Sequence, residues 1–104
     1  MYEYKATVDR VVDGDTVDFI VDLGFSVKIK IRTRLAGVDT PERGQPDFLV
    51  ATQKCRELLS KAAGSFPYEG KIIIRTEKTG KYGRWIVHIH GVTDELARIW
   101  PYER

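Results

Sequence analysis

From Tyr2 to Leu35 apolar and polar residues alternate in three successive runs separated only by tight turns, and this constrains the fold more than anything else in the chain. A period of two cannot present one apolar face on a helix, so these runs read as consecutive half-buried strands. Tyr2, Tyr4, Ala6 and Val8 alternate with Glu3, Lys5, Thr7 and Asp9, and the strand continues through Val11-Val12. Asp13-Gly14 is a hairpin turn, with Gly supplying positive φ and Asp tolerating it. Val17, Phe19, Val21 and Leu23 form the core face of the second strand, and Gly24 turns the chain again. The third strand has Phe25, Val27, Ile29, Ile31 and Leu35 on its core face and Lys28, Lys30, Arg32 and Arg34 on the other. Gly37, near its end, marks a bulge or a close backbone approach.

The period then changes. Gly44-Gln45-Pro46-Asp47 opens a helix over 47–63, whose stripe is Phe48, Ala51, Cys55, Leu58 and Ala62 and whose stop is Gly64. A fourth strand, 71–77, is rich in β-branched residues, and a fifth covers 85–90. A short helix over 93–100 follows, with Thr93 as its cap. Three meander strands, a helix, two further strands and a last short helix predict a mainly β, α+β architecture. The expectation is a five-stranded OB-fold barrel with the helix between strands three and four, closed so that no edges are left open.

A length of 104 residues predicts one domain, 1–104, able to bury roughly two-thirds of its surface. Seventeen basic against fifteen acidic residues leave a net charge of +2, so an anionic partner would be met by local patches. The lone Cys55 forms no internal disulfide and reads as a small buried apolar residue. No apolar leader or bilayer-length run is present, which predicts no membrane partner, a monomer by default, and a cytoplasmic chain as written or a secreted one if a leader was removed.

Four pieces carry chemistry when taken together: Asp13-Gly14-Asp15-Thr16, Arg34, Asp39-Thr40-Pro41-Glu42, and Lys81-Tyr82-Gly83-Arg84. Singly, each is an ordinary turn or strand end. Asp15 and Asp39 would offer carboxylates, and the Thr40 carbonyl a further oxygen, to a hard divalent cation. Oxygen ligands alone select Ca²⁺ or Mg²⁺ over zinc and leave positions for water and phosphate. Two arginines match the equatorial oxygens of a phosphoryl group, and Glu42 would orient or deprotonate an attacking water.

On Asp13 to Val17, Arg34-Leu35, Val38 to Glu42 and Lys81 to Arg84, the chain resembles the staphylococcal nuclease-like (thermonuclease) domain over essentially all of residues 5–98. The resemblance implies an OB-fold and Ca²⁺-dependent hydrolysis of DNA and RNA phosphodiesters to 3′-phosphate and 5′-hydroxyl ends. It implies Asp15, Asp39 and the Thr40 carbonyl as calcium ligands, Arg34 and Arg84 as transition-state groups, Glu42 as general base, and Lys81 and Tyr82 as contacts to a terminal phosphate. Two features depart from the family pattern. The loop 43–47 is shorter and less basic, which predicts a weaker hold on substrate there. In the chain as written the helix and aromatic residues that follow in the family do not appear, so Tyr102 or Trp100 would either serve as a stacking platform or pack under the barrel.

The rival reading is a non-catalytic OB-fold module that binds single-stranded nucleic acid, and a third is a protein-interaction module. Against the first, Asp15, Asp39 and Glu42 beside a phosphate would repel it unless a cation intervened. His88 and His90 share a strand face without a third ligand, and Lys28, Lys30 and Arg32 serve either a phosphate backbone or a solvated face.

Overall fold

The computed structural model describes residues 2–64, 70–77 and 85–102. Five strands, β1 (Tyr2–Asp13), β2 (Thr16–Gly24), β3 (Val27–Leu35), β4 (Ile72–Thr76) and β5 (Trp85–His88), are joined by α1 (Phe48–Ala63) between β3 and β4. The helix α2 (Thr93–Ile99) follows β5. The strands close into a barrel in the order β1-β2-β3-β5-β4, with β3 and β5 parallel and the other pairs antiparallel. This is the OB-fold arrangement that the alternation predicts, and closure leaves each strand a partner on both sides for at least part of its length.

Alternation fills the barrel. Val17, Phe19 and Val21 of β2 are fully buried, and Leu35, Ile74 and Val87 meet them from β3, β4 and β5. The helix α1 contributes Ala51, Thr52, Cys55 and Leu59. Ala51 and Cys55 of the sequence-predicted stripe are buried, but farther along Leu59 takes the inward position, Leu58 packs from the side and Ala62 is exposed. Burial pushes the Cys55 thiol up to about 12 and keeps it unreactive.

Three local expectations fail for physical reasons. Phe25 does not start the core face of β3: Gly24 pairs with Val27, so Phe25 and Ser26 form a two-residue hairpin loop with φ of 52° and 62°. The alternation runs past the barrel rim, where an inward-pointing residue meets solvent. Thr93 does not cap α2. Its hydroxyl donates to the Ile89 carbonyl and accepts from the Ile89 amide, both at 3.1 Å, and so ties the helix to the end of β5. His88 and His90 do not share a strand face: β5 ends at His88, which pairs with Glu77 at 2.7 Å, and His90 lies beyond it in the following turn.

Candidate active site

The site is built where two hairpin ends and one irregular turn converge. The register of β1 on β2 shifts between Val8 and Arg10 and again between Val11 and Asp13. Such irregularities re-aim side chains, and the second lies directly before Asp13 and Asp15. Thr16 faces Arg34 across β2 and β3, and the Leu35 amide donates to the Asp15 carbonyl at 2.8 Å. The acidic turn and the end of the basic strand are therefore fixed to one another by backbone.

Gly14 explains why the turn accepts no larger residue. Its φ is not in the left-handed region, contrary to the expectation for an Asp-Gly turn. The constraint is space: a Cβ there would meet Cγ2, Oγ1 and Cβ of Thr40 at 2.7, 2.8 and 2.9 Å. Gly14 is the slot into which Thr40 packs, and the Thr40 amide donates to Asp15 Oδ2 at 3.3 Å.

The other side of the acidic turn is held by the end of the described chain. Val38 bridges Pro101, the Asp39 amide donates to the Trp100 carbonyl at 2.9 Å, and the Tyr102 amide donates to the Gly37 carbonyl at 3.0 Å. Trp100 packs on the core, and the Arg34 guanidinium lies over the Tyr102 ring at 5.6 Å. Both C-terminal aromatics thus have structural work. Of the two readings the sequence allows, stacking platform or packing under the barrel, Trp100 takes the second, while the particular partners of both residues leave no local signal because they lie so far away in the chain.

Arg34 is the centre of the charge arrangement. One of its terminal nitrogens lies 3.6 Å from Asp15 Oδ2, 3.8 Å from Asp39 Oδ1 and 3.4 Å from the Val38 carbonyl. Asp15 is buried, while the Asp39 side chain is about half exposed. Burial, reinforced by the adjacent Asp13 carboxyl, raises the Asp15 carboxyl from 3.8 to about 6 against the pull of Arg34. Asp13 Oδ1 and Thr40 Oγ1 are buried with no hydrogen-bond partner. The arrangement is thus under-satisfied and anionic on one side, and cationic at Arg34. Glu42 is exposed on the rim, where its amide donates to the Gln45 side chain at 2.7 Å. A cleft of about 490 Å³ is lined by Asp13, Asp15, Arg34, Asp39, Thr40 and Glu42 together with Arg32 and Arg43.

Of the eight sequence-predicted site residues, Asp15, Arg34, Asp39, Thr40 and Glu42 come together on this one cleft. Lys81, Tyr82 and Arg84 lie outside the described residues. Among the described residues, no three His, Cys, Asp or Glu side chains are grouped as a metal cage. The basic row of β3 is largely spoken for. Arg32 makes a paired contact with Asp18 at 2.9 and 3.2 Å, a hydrogen bond that lowers the Asp18 carboxyl, and Lys30 meets Asp9 at 3.0 Å. Asp13 and Gly14 gained their roles only from the fold, although both stand in the motif that pointed to Asp15.

No protein-family model matches the chain. The chain is similar to Protein ParB of Escherichia coli, 29% identical over 102 residues, which is 98% of this chain and 50% of that protein. It is also similar to Micrococcal nuclease of Shigella flexneri, 29% identical over 82 residues, 79% of this chain and 40% of that one. The chain therefore spans half or less of the length of these curated relatives.

Proposed function

We propose that this chain is a nuclease domain that hydrolyses phosphodiester bonds of DNA and RNA with the help of Ca²⁺, leaving 3′-phosphate and 5′-hydroxyl ends. The coarser reading, a nuclease-like or nucleic-acid-binding OB-fold, is supported by the barrel and by the similarity to a protein named as a nuclease. One observation carries the finer reading: Arg34 sits between Asp15 and Asp39 in an open cleft whose rim bears Glu42.

The donor set fits a calcium ion. Every candidate ligand is an oxygen, the buried Asp13 Oδ1 and Thr40 Oγ1 lack partners, and burial beside Asp13 raises the Asp15 carboxyl even with Arg34 at 3.6 Å. Asp15, Asp39 and the Thr40 carbonyl would hold the ion, which when bound would polarise the phosphoryl oxygens. Arg34 would bind a non-bridging phosphate oxygen and stabilise the charge that builds there, with Arg84 as the second donor that the sequence motif supplies. Glu42 would take a proton from the attacking water as its oxygen bonds to phosphorus. The bond to the 5′-oxygen then breaks, and that oxygen takes a proton from solvent water as it leaves as the 5′-hydroxyl.

The test is cleavage of single- and double-stranded DNA and of RNA with Ca²⁺ or chelator. Wild type should cut only with Ca²⁺, and Arg34→Ala and Glu42→Gln should each lose on the order of a hundredfold or more in rate. A wild type that binds DNA and cuts nothing with Ca²⁺ would leave the non-catalytic binding module as the correct description.

A further inference from the structure

The β2–β3 hairpin projects beyond the barrel rim and breaks a local rule there without any compensation within the fold. A two-residue loop with both central residues at positive φ favours Asn-Gly, whose side chains tolerate the left-handed region. Here those positions are Phe25 at 52° and Ser26 at 62°, directly after Gly24 at 85°. Phe25 is fully exposed and makes no packing contact to offset its conformation, and its neighbours Leu23 and Val27 are 39% and 49% exposed. A bulky residue in such a conformation points to a purpose at that position other than folding.

Beneath the tip lies a cationic collar. On the outer face of the sheet, Asp22 stands opposite Lys5 on β1 and Lys28 on β3, and it pairs with Lys71 at 3.4 Å. Cross-strand partners share a face, so three lysines surround one carboxylate. Lys5 and Lys28 make no ion pair among the described residues. An exposed aromatic ring above an excess of lysines is the chemistry that holds single-stranded nucleic acid, with the ring stacking on a base and the cations meeting the flanking phosphates.

We infer that the Phe25 tip, with Lys5, Lys28 and Lys71, is a second contact for single-stranded nucleic acid, at the opposite end of β2 from the cleft. The inference rests on the nucleic-acid reading proposed above. The cleft and the tip stand at the two ends of β2, about 26 Å apart at the usual rise per strand residue. A strand bound at both would be held along the length of the hairpin. Short substrates would use the cleft alone.

The experiment measures binding of a fluorescent oligothymidylate, long enough to span both ends of the hairpin, to the full chain in chelator. Phe25→Asn suits the turn, so the fold should be retained, and a melting curve checks it. The dissociation constant should rise on the order of tenfold, and Phe25→Trp should restore it. Lys28→Ala should reduce the salt slope by about 0.7. Cleavage of a dinucleotide too short to reach the tip should be the same in wild type and Phe25→Asn.

Unchanged oligothymidylate binding by a folded Phe25→Asn protein would overturn the inference and leave the cleft reading intact. Phe25-dependent sedimentation with phosphatidylserine vesicles, or a Phe25-dependent dimer, in the absence of any effect on oligothymidylate binding would likewise overturn it. Phe25-dependent binding in a wild type that never cuts would support the tip and sink the cleft reading instead.

Discussion

Asp15→Asn separates the stability of the fold from the demands of the site. In the folded chain the Asp15 carboxyl is raised from 3.8 to about 6, mainly by burial and then by Asp13. A raised carboxyl favours the folded state while it is protonated. That contribution is fully present below 3.8 and is lost as the pH rises through about 6, because the unfolded chain has by then released its proton at no cost. The difference is worth at most about 3 kcal/mol, at about 1.4 kcal/mol per pH unit. Asn reproduces the protonated carboxyl in shape and charge. Its oxygen can accept from the Thr40 amide and its amide can meet Thr16 Oγ1, the two groups that Asp15 now contacts at 3.3 and 3.1 Å. In urea unfolding with chelator present, Asp15→Asn should match wild type near pH 4 and exceed it near pH 7.5 by up to about 3 kcal/mol. Saturating Ca²⁺ should then stabilise wild type and leave the variant unmoved, since only wild type keeps the buried charge the ion would neutralise. Equal stabilities of variant and wild type at pH 7.5 would refute the claim that the site is held at the expense of the fold.

Gly14→Ala should lose about 1–3 kcal/mol by overpacking, since Thr40 is branched and buried and cannot swing away from the new methyl. Calcium titration of the folded fraction should also show weaker binding, because any relief moves Thr40 away from Asp15. Thr93→Val removes a hydroxyl that serves both the amide and the carbonyl of Ile89, and should cost about 1–3 kcal/mol in thermal or urea unfolding with no change in cleft chemistry.

The fold was legible because its signals are local and agree with one another. Alternation over β1 and β2 names the buried Val17, Phe19 and Val21, and the change of period at Phe48 with Gly64 after it gives α1. What failed was the point at which alternation stops meaning burial. Leu23, Phe25 and Val27 continue the pattern of β2 and β3, yet they lie past the rim. Periodicity reports which way a side chain points and not whether anything stands in front of it. In the same way, Thr93 has the composition of a cap, but the Ile89 amide and carbonyl claimed its hydroxyl first.

The site divides along the same line. The chemical groups stand in short motifs, so Asp15, Arg34, Asp39, Thr40 and Glu42 were named from residue type and spacing, and all five line one cleft. The groups that hold them were silent because they act across the fold. The stretch Val38–Glu42 has no helix or strand of its own and borrows its shape from two sides. Gly14 receives Thr40 on one side, and Trp100, Pro101 and Tyr102 hold Gly37 to Asp39 on the other. Both supports bear on the same pair of acids. The first sets Asp15 against Thr40, and the second sets Asp39 while its Tyr102 ring stacks on Arg34. A change in either support would alter the separation of the acids without touching a carboxylate. A loss of calcium affinity in a variant of Gly14 or Trp100 would therefore report geometry, and it should be read beside the stability of the folded chain before any chemical role is assigned to the residue changed.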